Sequence, residues 1–170
     1  FPMMRSLSAG LYYHVGKFKE SLYEDLKALE LTSDTIIHWG FFYNYIGLGD
    51  ELKAVEALEK VLRSHSDTFV ANNAIHLKDV YFKSGINGLW NWLLKLELNG
   101  SSPNPGSLAT RYAKVGKKEE ALYWLEKYFD SHPSDLPRIN NNPELEILRS
   151  EPRFQAMIKK LGLSDYQIPK

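Results

Sequence analysis

Three pairs of residues in the first half of the chain stand in one register. Tyr12 and Tyr45, Gly16 and Gly49, and Ser21 and Ala54 are each 33 residues apart. Coincident offsets of this length mark a recurring supersecondary unit that buries its apolar face against copies of itself. Between the two glycines the sequence is helical: Leu22, Leu26 and Leu29 make an amphipathic stripe within Phe18 to Leu31. A third copy centres on Gly85, preceded by Leu77 and Tyr81, and a fourth on Gly116. The steps of 36 and then 31 residues around Gly85 make the third copy irregular.

The fourth copy is the clearest. From Leu108 to Pro133 the chain reads as two helices, the first carrying Leu108, Ala109 and Tyr112 and the second Ala121, Leu122, Leu125 and Tyr128. Gly116 sits at the junction, where a helix ends in a left-handed residue without steric cost. Pro133 follows the second helix and cannot extend it. Leu, Ala, Tyr, Gly, Ala and Pro at these intervals resemble the tetratricopeptide repeat. The resemblance runs from about Leu7 to Leu163 and implies an all-α fold: a right-handed superhelix of about four helical hairpins with a C-terminal capping helix. The repeats fall at about 2–33, 35–67, 70–99 and 105–135, the capping segment at 142–163, all in one domain of 170 residues. In the third repeat Trp90 and Glu97 occupy positions where the family has small residues, and Asn99 to Gly106 breaks regular structure.

In the closing segment Asn142-Pro143 starts a short helix with Leu145 and Leu148, and Ser150 caps the next. Phe154, Met157, Ile158 and Leu161 form one apolar face there, and Gly162 ends it. The stretch Glu144 to Phe154 with Lys160-Leu161-Gly162-Leu163 resembles the ending of tetratricopeptide arrays in bacterial signalling and transcription-regulator proteins. Such arrays often form the C-terminal part of a longer chain, and the opening Phe1-Pro2 fits a processed product with residues missing upstream.

Charge and chemistry narrow the function. Lys plus Arg equals Asp plus Glu, 21 of each, which argues against a general affinity for nucleic acid or anionic membrane. The longest stretch without charge, Thr35 to Gly49, is shorter than the roughly 20 apolar residues a membrane helix needs. The chain has no cysteine, which fits a reducing compartment and a cytoplasmic location. His14, His38, His65, His76 and His132 show no helical metal-ligand spacing. His65 and His132 lie near helix ends, where an imidazolium meets the negative end of the dipole. Glu119-Glu120 begins a helix, where carboxylates are stabilising, and is not read as a catalytic pair. No catalytic residue, metal site or cofactor is expected, and the chain is read as no enzyme.

What the resemblance implies instead is a concave groove lined by the first helix of each hairpin. Counting from each glycine places Tyr13 and His14 there, then Ile36, Trp39, Tyr43 and Ile46, then Asn72, Ile75, Asp79, Phe82 and Lys83, and finally Thr110, Ala113 and Lys114. His76 lies one position off the stripe. The partner-binding set is Tyr13, His14, Trp39, Tyr43, Asn72, His76, Asp79, Phe82 and Lys83, a mixture of aromatic anchors and hydrogen-bonding groups. The other reading of Trp39, Tyr43 and Phe82 is core beneath the next helix. Arrays that clamp acidic chaperone C-termini carry Lys and Asn where this chain has Ser6 and Gly10, so that mode is set aside. The expected function is a protein-interaction module holding a partner peptide or helix, with a regulatory, ligand-sensing or self-association domain of a larger bacterial protein as the alternative. Phe1, Met3, Met4 and Leu7 lack a preceding helix to cover them, which suggests a homodimer through this face.

Overall fold

The computed structural model describes residues 1–32, 37–131 and 139–160, and every regular element among them is helical. The chain divides into two compact units, Phe1–Ile86 and Asn87–Lys170. The first holds α1 (Pro2–His14), α2 (Phe18–Leu29), α3 (Ile37–Leu48), α4 (Glu51–Arg63), α5 (Thr68–Asn73), a 3₁₀ turn (Ala74–His76) and the opening turns of α6 (Leu77–Asn99). The second holds the rest of α6, α7 (Pro105–Lys114), α8 (Lys118–Ser131), a 3₁₀ turn (Pro143–Leu148) and α9 (Pro152–Lys160). Within the described residues no helix is long and apolar enough to cross a membrane.

Helices pair in chain order: α1 with α2, α3 with α4, α7 with α8, while α2 also lies along α3. One backbone device makes each pair. Gly16, Gly49 and Gly116 all have positive φ, 73°, 75° and 79°. At each, the residue after the glycine donates its N–H to a carbonyl five residues back, Lys17 to Tyr12, Asp50 to Tyr45 and Lys117 to Tyr112, every one at 2.9 Å. The glycine N–H itself reaches Tyr13, Ile46 or Ala113. This is the Schellman closure, which satisfies the last carbonyls of a helix and needs a residue without a Cβ. Asp50 then caps α4 by accepting the Lys53 N–H.

Gly85 behaves differently. Its φ of 63° with ψ of −167° lies in a region essentially restricted to glycine, and α6 resumes directly after it. The third copy is thus two helices meeting across a kink at Gly85. Its first helix is also divided, because α5 gives way to the 3₁₀ turn Ala74–His76 before α6 begins. A 3₁₀ turn advances side chains by about 120° per residue rather than 100°, so residues 72–83 do not follow one continuous α-helical face. The sequence, read at a single helical period, expects otherwise.

Apolar burial holds each unit. On α4, Ala54, Val55, Ala57, Leu58, Val61 and Leu62 are buried at helical spacing. In the second unit Ala109, Ala113, Leu122, Leu125, Leu145, Leu148 and Phe154 share one core with Tyr112, Trp124, Tyr128 and Phe129 packed against it. The unusual residues of the third copy also have places here. Trp90 is buried, with the Lys114 ammonium 5.7 Å from its ring centre. Glu97 accepts from the buried Arg111, from the Asn104 N–H at 2.8 Å and from the Ser107 hydroxyl at 3.2 Å. It thereby ties the Gly- and Pro-rich connection to α7.

The closing segment starts as expected, Asn142 capping at Glu144, but as a 3₁₀ rather than an α-helical turn. His65 lies just past the end of α4, as expected, and its Nδ1 accepts the Asp67 N–H at 3.0 Å in the turn into α5. His132, Pro133, Leu161, Gly162, Leu163 and Ile36 lie outside the described residues.

Candidate functional site

Four of the expected site residues come together. Tyr13 and His14 end α1, while Trp39 and Tyr43 stand one turn apart on α3. Trp39 and Tyr43 stack, their ring centres 6.0 Å apart at an interplanar angle of 23°. Tyr13 lies 6.1 Å from Tyr43 and 5.6 Å from both His14 and Phe18. Beneath them Phe42 is fully buried, 5.0 Å from Tyr43 and 6.1 Å from Trp39. Tyr13, His14, Trp39 and Tyr43 are themselves only half-buried. Trp39 and Tyr43 pack on buried Phe42 and keep part of their surface open, so neither the wholly-core nor the wholly-surface description fits them, while Tyr13 packs on the half-buried Phe18 and Tyr43.

The remaining five stand on α5, the 3₁₀ turn and α6. Asn72, His76, Asp79, Phe82 and Lys83 are exposed, Phe82 by 72%, and the neighbouring Ile75 by 67%. Phe82 lies 5.5 Å from Tyr81, whose hydroxyl donates to Glu51 at 2.9 Å. Lys78 bridges to Glu59 at 2.9 Å. These two bonds fasten the start of α6 to α4. The Lys78 and Arg63 bonds hold the Glu59 carboxyl below its ordinary value, and the Glu51 bond raises the Tyr81 phenol. Of the fourth-copy positions, Ala113 is buried and does not line a surface. Lys114 is half-buried over Trp90; burial lowers its pKa, against the opposing pull of Glu146.

One feature was read in part and one escaped the sequence reading. On α1, Met3, Met4, Leu7 and Leu11 are 73%, 60%, 46% and 70% exposed, opposite the buried Ala9. Three of these turns are apolar on the outward side, and Leu11 extends the patch read from Phe1 to Leu7 by a full turn. The second is a buried polar group between α2 and α3, where Asp25 accepts from the Asn44 amide at 2.9 Å. A charged residue in the apolar register of α2, between Ser21 and Ala28, was the available signal.

Elsewhere a cleft of about 350 Å³ lies between α8 and α9, lined by apolar Phe129, Ala156 and Met157 and by charged Glu126, Asp130, Arg153 and Lys160. Arg153 is already engaged there by Glu126 at 2.7 Å and Glu119 at 2.8 Å. Comparison with protein families, with characterised proteins and with solved structures yields no match.

Proposed function

We propose that this chain is a non-enzymatic protein-interaction module of the tetratricopeptide type, holding a partner peptide or helix against its aromatic face. The proposed architecture is a right-handed array of about four hairpins, the third irregular, with the closing helix as its cap. The observation that carries the reading is the half-open stack of Trp39 and Tyr43 on buried Phe42, with Tyr13 against Tyr43 beside it. Large rings held rigid from below and open above lose little entropy on contact, which is why aromatic anchors dominate binding energy. The exposed Phe82, Ile75, Asn72, Asp79 and Lys83 supply a second apolar and hydrogen-bonding stretch. The partner is a protein in the cytoplasm, engaged without cofactor, membrane or nucleic acid.

The test compares wild type with the Trp39→Ala, Tyr43→Ala double variant in affinity capture from the source cells. A helical spectrum checks that the variant folds. Loss of two anchors worth about 2 kcal/mol each weakens a partner by roughly a thousandfold. Retention of the same proteins by the folded variant would remove the aromatic face from consideration.

A second reading is a regulatory or self-associating part of a larger bacterial signalling or transcription protein. The apolar stripe of α1 favours it, because four large exposed apolar side chains on one helix face mark an interaction surface. Sedimentation over a range of concentrations should show a dimer that loosens when Met4 and Leu7 are changed to glutamine. A strict monomer at all concentrations ends this reading.

A further inference from the structure

The contact between α2 and α3 is built on small residues placed to receive particular side chains. A Cβ on Gly40 would lie 2.3 Å from Asp25 Oδ2 and 3.0 Å from Oδ1, and one on Gly47 would lie 2.7 Å from the Phe18 ring. Phe18 and Asp25 are seven residues apart on α2, as Gly40 and Gly47 are on α3 in the opposite direction. The helices therefore run antiparallel with the Asp25 carboxyl pressed against the α3 backbone. Glycine inside a helix costs about 1 kcal/mol relative to alanine, so these two positions give up helix stability to admit that contact.

Asp25 is 5% exposed and Asn44 1%. The Asn44 Nδ2 donates to Asp25 Oδ2 at 2.9 Å, while the buried Asn44 Oδ1 accepts no hydrogen bond. A carboxylate here would leave that oxygen unsatisfied and an anion in an apolar seam, both costly. One added proton removes both costs. We infer that Asp25 and Asn44 form a cyclic acid–amide pair, the Asp25 hydroxyl donating to Asn44 Oδ1 while its carbonyl accepts from Nδ2, and that loss of this proton loosens α2 from α3.

The surroundings support the protonated form. The ionisable groups on the packed elements are Arg5, Tyr12, Tyr13 and His14 on α1 and His38, Tyr43 and Tyr45 on α3. Arg5 is occupied by Glu24 at 2.7 Å, and burial, with Lys60 second, holds His38 toward its neutral form. Burial pushes the Asp25 carboxyl up to about 7, against the opposing pull of the Asn44 bond. The folded value thus exceeds the unfolded value of 3.8. The contribution is complete below the unfolded value and lost as pH rises through about 7. The seam joining the first two helix pairs is therefore a proton-sensitive joint working near neutral pH.

The test follows the Asp25 carboxyl carbon and the Asn44 side-chain amide nitrogen by NMR in the full chain from pH 4 to 9. Both resonances should move with one midpoint near 7. A carboxyl titrating near 4 overturns the inference, and so does an Asn44 amide that ignores the transition. Asp25→Asn keeps an amide–amide pair without a proton to lose. The ratio of wild-type to variant folding constants should fall toward tenfold per pH unit between pH 5 and 7. A constant ratio overturns the inference as well. The subtraction matters because Glu144 in the second unit, pushed up to about 8 by burial, titrates in the same range.

Discussion

Removing Glu97 should strongly destabilise the second unit. Its side chain is 15% exposed and that of Arg111 7%, so the pair is largely withdrawn from water. Arg111 Nη1 also donates to the Leu93 carbonyl at 3.1 Å, which fixes the guanidinium in place whether or not its anion is present. Glu97→Ala therefore leaves a buried cation uncompensated, a cost of about 3–5 kcal/mol. The Asn104 and Ser107 donors lose their acceptor at the same time. At about 2–4 °C per kcal/mol for a chain of this length, the melting temperature should fall by roughly 10 °C. Glu97→Leu with Arg111→Met removes both charges and keeps the volume, and should return to within about 1 kcal/mol of wild type. Urea unfolding of Glu97→Leu, Arg111→Met and their double forms the cycle. A loss below about 1 kcal/mol in Glu97→Ala, or a double variant as weak as the sum of its singles, would refute the reasoning.

A closure glycine and a helix-interior glycine give a test of opposite signs. Gly116→Ala meets no atom within 4 Å, so its cost is backbone strain at φ of 79°, about 1–2 kcal/mol. Gly10→Ala, equally uncrowded but inside α1, should gain about 0.5–1 kcal/mol; urea midpoints moving in the same direction would contradict the assignment. Glu144, buried and raised to about 8 from 4.5, contributes stability that declines as pH rises from about 4.5 through 8. In an Asp25→Asn background, Glu144→Gln should flatten the remaining fall in melting temperature between pH 5 and 9, and an unchanged slope would exclude Glu144 as its source.

Much of the helix pairing was legible because left-handed closures demand glycine. Gly16, Gly49 and Gly116 announce themselves by residue type and spacing, and Gly85 announced an irregularity by breaking the interval. Gly40 and Gly47 carry as much structural meaning but read in sequence only as weak points in a helix. Their role depends on Phe18 and Asp25, which chain order does not place beside them. The site divides in the same way. Tyr13, His14, Trp39 and Tyr43 follow a single helical period and come together. The positions from Asn72 to Lys83 were counted across a 3₁₀ turn that no residue pattern signals. Glu97 looked like a fault in the repeat because its counter-charge stands 14 residues away on the next helix.

The repeated glycine closure also bears on how such a chain changes length. The backbone leaves Gly16 and Gly49 in the same conformation, with the same bond from the following residue to the tyrosine four positions before the glycine. Deleting residues 17–49 would join Gly16 to Asp50 across a seam whose two sides already match. Insertion of a whole unit at either point meets the same seam. Gain or loss of hairpins by duplication is thus neutral for the main chain at these points, and only the newly facing side chains decide whether the altered protein folds.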